Sequence, residues 1–64
     1  MRVRFERLGV REMSAISTDS LARVLGIAGP AAREFWYDFD PETGRGAAFL
    51  GERRLAGFRV EVRS

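Results

Sequence analysis

The 64-residue chain contains no cysteine, no histidine and no lysine. Without cysteine there is no disulfide staple, no thiolate zinc site and no thiol nucleophile. Without histidine the commonest transition-metal ligand and the commonest general base are missing. Without lysine there is no Schiff-base chemistry and no phosphate-loop lysine. No apolar stretch approaches the length of a membrane span. The first residues, Met1-Arg2-Val3-Arg4-Phe5-Glu6, alternate charged and apolar types where a secretion signal would carry an apolar run. A cytoplasmic, non-enzymatic protein without membrane, cofactor or small-molecule substrate is the expectation.

What is present reads as globular. Hydrophobic residues make up 45% and charged residues 31%, which argues against disorder. At this length one small domain over 1–64 is the most the chain can form, burying only about 60% of the surface it exposes when unfolded. Small domains without staples often lean on a partner or a second copy. All eleven basic residues are arginine. Arginine, alanine and glycine share G+C-rich codons, so genome composition accounts for this more cheaply than function. Charge is unevenly spread although the net is only +2. Residues 34–44 hold Glu34, Asp38, Asp40 and Glu42 and no arginine, whereas the segments on either side are net positive. This layout favours intramolecular pairing or head-to-tail self-association as much as a polyanion partner.

Period-two alternation predicts a strand over 2–8, with Val3 and Phe5 on one face and Arg2, Arg4 and Glu6 on the other. Residues 10–16 read as a loop or a short helical turn. Ser17-Thr18-Asp19-Ser20 supplies N-cap oxygens, and Leu21, Val24, Leu25 and Ala28 recur at helical spacing, so a helix is expected near 18–28. Gly26 or Gly29 stops it. Residues 31–40 fit helix and strand periods alike. The following Asp40-Pro41-Glu42-Thr43-Gly44 decides for a strand entering a tight turn, since Asp accepts backbone bonds, Pro presets φ and Gly supplies positive φ. These five residues resemble the loop of a minimal designed hairpin peptide, which implies local structure only. With Asp40 opposite Arg45 the register runs from Phe39–Gly46 to Phe35–Leu50, and Asp40–Arg45 is a candidate ion pair. Residues 51–54 turn the chain, and 55–63 form a last strand with Phe58, Val60 and Val62 inward. The fold class expected is α+β, order β-α-β-β-β, with an antiparallel hairpin at 35–50 and one helix on the sheet.

The segment Thr18 to Ile27 resembles the first helix and turn of a helix-turn-helix motif, with Ala22, Gly26 and Ile27 where that motif favours a small residue, a glycine and an apolar residue. The resemblance implies a recognition helix over 30–39 and a DNA-binding segment at 18–37. Glu34, Asp38 and Asp40 on that helix would oppose phosphate, and the Gly-Pro start would leave it short.

Asp38-x-Asp40-x-Glu42 has the alternation of a hard-cation loop, but an EF-hand needs glycine and glutamate where Thr43 and Phe49 stand. Ser14, Ser17, Ser20 and Ser64 have no histidine or lysine to activate them. Two candidate surfaces remain. Arg2, Arg4, Arg59 and Arg63 could line a sheet face and contact nucleic-acid phosphates. Trp36, Tyr37, Asp38, Asp40 and Phe49 form the favoured candidate protein interface, because Trp and Tyr anchor interfaces and the hairpin cannot bury aromatics on both faces. The expected function is a binding module that self-associates or docks on a protein, in the manner of a regulator, antitoxin or inhibitor. Nucleic-acid binding is the alternative.

Overall fold

The computed structural model describes residues 1–61. Its elements are β1 (Arg2–Phe5), β2 (Gly9–Glu12), α1 (Thr18–Leu25), a 3-10 helix (Gly29–Glu34), β3 (Phe35–Asp40), β4 (Arg45–Leu50) and β5 (Arg53–Glu61). The strands form one antiparallel sheet in the order β2-β1-β5-β4-β3. The expected succession of strand, helix and three strands holds, with one short strand added before the helix. Residues 9–12 join the sheet because the turn after Phe5 folds them back onto β1, Phe5 facing Gly9 and Arg2 facing Glu12. Their own sequence has one apolar side chain, so the partner strand and not local periodicity defines them.

The helix begins at a reciprocal cap. Ser17 Oγ accepts from the Ser20 N–H at 3.1 Å, and Ser20 Oγ accepts from the Ser17 N–H at 3.0 Å. It stops at Gly26, so Ala28 falls outside it. Residues 29–34 make a 3-10 helix, and Phe35 is already extended. The recognition helix implied for 30–39 therefore does not form. β3 and β4 pair in the expected register from Phe35–Leu50 to Asp40–Arg45. The Gly44 N–H closes the turn onto the Asp40 carbonyl at 2.8 Å, with Gly44 at φ 75°.

One face of the sheet carries Val3, Phe5, Phe35, Ala48 and Phe58, and α1 seals it with Leu21 while Met13 fills the side. Phe58 meets Phe5 and Phe39 with ring centroids 5.8 and 6.0 Å apart. A bulge interrupts β5: Ala48 faces Ala56, but Phe49 faces Arg54, leaving Leu55 as the extra residue. Leu55 thereby joins the core and Arg54 turns to the other face. Strict alternation from Leu55 would have done the opposite. Among the described residues no helix is long and apolar enough to cross a membrane.

Candidate functional site

The face of the sheet away from α1 carries nearly every residue the sequence nominates, because residues paired across antiparallel strands share a face. One row across it runs Arg4, Arg59, Arg45, Asp40; the next runs Glu6, Gly57, Ala47, Asp38; a third brings Arg54, Phe49 and Trp36 together. The small residues of the middle row form the floor of an open groove of about 560 Å³, walled by Arg4, Arg45, Arg59, Asp38, Asp40 and the Glu6–Arg54 pair.

Trp36 and Phe49 lie face to face at the end of this surface, centroids 4.2 Å apart and planes 12° from parallel. Trp36 stays 47% exposed, its indole N–H fixed to the Gly51 carbonyl at 2.8 Å, so it is a rigid aromatic shelf open to water. Tyr37 does not belong with it. The period of two turns Tyr37 to the opposite face, half-buried against the core. Asp38 and Asp40 do stand on the outer face, and neither has an ion-pair partner among the described residues. The expected Asp40–Arg45 ion pair is absent although the residues face each other. Asp40 Oδ1 instead accepts the Glu42 N–H at 2.9 Å, holding the turn. Among the described residues no group of three metal-ligating side chains converges.

Arg2, Arg4 and Arg59 gather on the same face around one carboxylate. Glu61 lies 2.7 Å from Arg4, 3.6 Å from Arg2 and 3.9 Å from Arg59, and the Arg4 hydrogen bond is the main cause holding its carboxyl below the usual range. Arg63 lies outside the described residues. Two features of the groove were missed from sequence. Arg45 extends the arginine row, and Arg54 grips Glu6 through both terminal guanidinium nitrogens, Nη1 and Nη2, at 2.8 and 3.1 Å. The Gly57 N–H donates to the same carboxylate at 2.9 Å. The arginine first and the amide second hold the Glu6 carboxyl down to about 2. This clamp lies flat on Gly57, where a Cβ would stand 2.5 Å from Arg54 Nη2 and 2.9 Å from Glu6 Oε2. The available signal was the break in period at Leu55-Ala56, which reverses where Arg54 points.

No protein-family model matches the chain, and neither a curated protein nor a solved structure matches it significantly.

Proposed function

We propose that the protein is a non-enzymatic binding module that docks another protein, or a second copy, on the outer face of its sheet. The carrying observation is a rigid Trp36–Phe49 stack, open to water, beside a groove whose walls bear both signs of charge. An aromatic anchor with a mixed charged rim is the chemistry of a protein contact. A regulator, antitoxin or inhibitor working by occlusion is consistent with this face. Sedimentation of the wild type and of Trp36→Ala, alone and with co-purified partner, tests the reading. Trp36→Ala should weaken association while leaving the fold intact. Association unchanged by the loss of Trp36 and of Phe49 would remove the outer face from the account.

Nucleic-acid binding is the second reading, and the row Arg4, Arg59, Arg45 beside the aromatic shelf favours it. Phe5 and Phe58 point into the core, so any base stacking falls to Trp36 and Phe49. Asp38 and Asp40 on the same surface oppose a phosphate backbone.

A further inference from the structure

The two edges of the sheet are not alike. The Gly51 N–H donates to the Glu34 carbonyl at 2.9 Å, which fixes the alternation along β3: the backbone groups of Trp36, Asp38 and Asp40 face β4, and those of Phe35, Tyr37 and Phe39 face outward. The Phe35 N–H is taken by the Ala32 carbonyl. The N–H and C=O of Tyr37 and Phe39 meet no partner among the described residues. Within Phe35–Asp40 the edge has no proline, no lysine and no bulge, three of the usual protections of an open edge. The opposite edge is guarded. β2 is four residues long, and the Arg11 guanidinium donates to the carbonyls of Leu8 at 2.7 Å and Val10 at 3.1 Å, Val10 being a residue whose backbone faces outward.

The charge beside the open edge is of one sign. Glu34, Asp38, Asp40 and Glu42 make no ion pair among the described residues, and no arginine interrupts residues 34–44. Two-fold pairing of β3 with a second copy meets this charge in each register centred on residues 36–39. Centred on Trp36, Tyr37, Asp38 or Phe39, it sets Asp38 opposite Glu34, Asp40 opposite Glu34, Asp38 opposite itself, or Asp38 opposite Asp40. Like charges directly opposite are destabilising. The edge is therefore open to addition and closed to itself.

We propose that β3 receives an extended segment of a protein partner, basic at alternate positions, as a sixth strand of the sheet. The inference rests on the protein-docking reading and selects its partner form over self-association. In antiparallel addition, the partner's main chain bonds Tyr37 and Phe39. Its arginines or lysines stand opposite Asp38 and Asp40 in non-hydrogen-bonded pairs, where facing side chains are closest. Its alternate apolar residues continue the face that carries Tyr37 and Phe39.

The test uses three capped octapeptides with the full-length protein: alternating Arg and Val, alternating Glu and Val, and the Arg–Val peptide with prolines in place of its two central valines. The last keeps the charge but lacks N–H groups at the positions that face Tyr37 and Phe39. Titration followed by amide NMR should show the Arg–Val peptide binding best and slowing hydrogen exchange at Tyr37 and Phe39. Asp38→Arg with Asp40→Arg should weaken that peptide and strengthen the Glu–Val one, each by about tenfold for two exposed charge pairs reversed. Equal binding of the proline peptide overturns the proposal, as does protection at Val10 and Glu12 instead, or no binding of any peptide at millimolar concentration. The effect of Trp36→Ala on association reports separately on the outer face, so the edge can fail while that reading stands.

Discussion

Glu6 is half-exposed, yet its carboxyl is held down to about 2 from an ordinary 4.5, because the Arg54 fork and the Gly57 amide both favour the charged form. A carboxyl lowered in the folded state stabilises that state above the unfolded value. The contribution fades as pH falls through the window from about 4.5 to about 2. Urea midpoints measured across that window should decline in the wild type and decline less in Glu6→Gln. Glu61, also held down, by Arg4 foremost, keeps part of the slope. Gly57→Ala offers a sharper reading. A methyl group there displaces the ends of the Arg54 and Glu6 side chains and not any backbone, so the fold survives while the clamp opens. A carbon-detected titration should then find the Glu6 carboxyl back near its ordinary value. A Glu6 titration unchanged in Gly57→Ala would mean that the clamp tolerates the methyl group and that close approach does not explain the glycine.

Within β3 the alternation divides neighbouring aromatics between two jobs, and stability should divide with them. Phe35 is 6% exposed at the foot of the core, so Phe35→Ala should cost about 3–5 kcal/mol, a large share of what a domain this size has. Trp36→Ala gives up a half-exposed stack and one hydrogen bond and should cost clearly less in thermal unfolding. Equal losses would place both rings in the core. This division was legible in the sequence because Asp40-Pro41-Glu42-Thr43-Gly44 fixes one closing pair, after which every residue of 35–40 and 45–50 has an assigned opposite and face. β2 was not legible, since Gly9–Glu12 owes its strand to β1. Arg54 was not legible either, because a single bulged residue reverses its direction. Nor does the sequence state that β5 stands between β1 and β4. That strand order merges the Trp36–Phe49 shelf and the Arg4–Arg59 row into one surface. Residue type groups Tyr37 with Trp36, and the pleat separates them.

At the scale of the whole molecule, α1 packed on the five-stranded sheet covers one face and leaves the other to water or to a partner. The open face meets an approaching polyanion with a row of three arginines, but it answers each attraction with a nearby carboxylate. Glu61 already engages Arg4 and stands within 4 Å of Arg2 and Arg59, while Asp40 ends the row and Asp38 overlooks the groove. Arg45 is the member of that row with no ion pair among the described residues. Counterion release sets what such a surface can do with nucleic acid. Three phosphate contacts lower affinity by about forty-fold between 50 and 200 mM salt, and the non-specific affinity they give is weak to begin with. Fluorescence anisotropy with mixed-sequence duplex and single-stranded probes should therefore show weak binding that all but vanishes at the higher salt. Arg45→Ala should reduce the salt slope by about one unit, as expected for the loss of one phosphate contact. Asp38→Asn with Asp40→Asn should strengthen binding by removing the opposing charge. Tight binding that persists at 200 mM salt, or binding indifferent to both sets of substitutions, would show that phosphate is read elsewhere on the molecule, and the outer face would then be left to the protein partner alone.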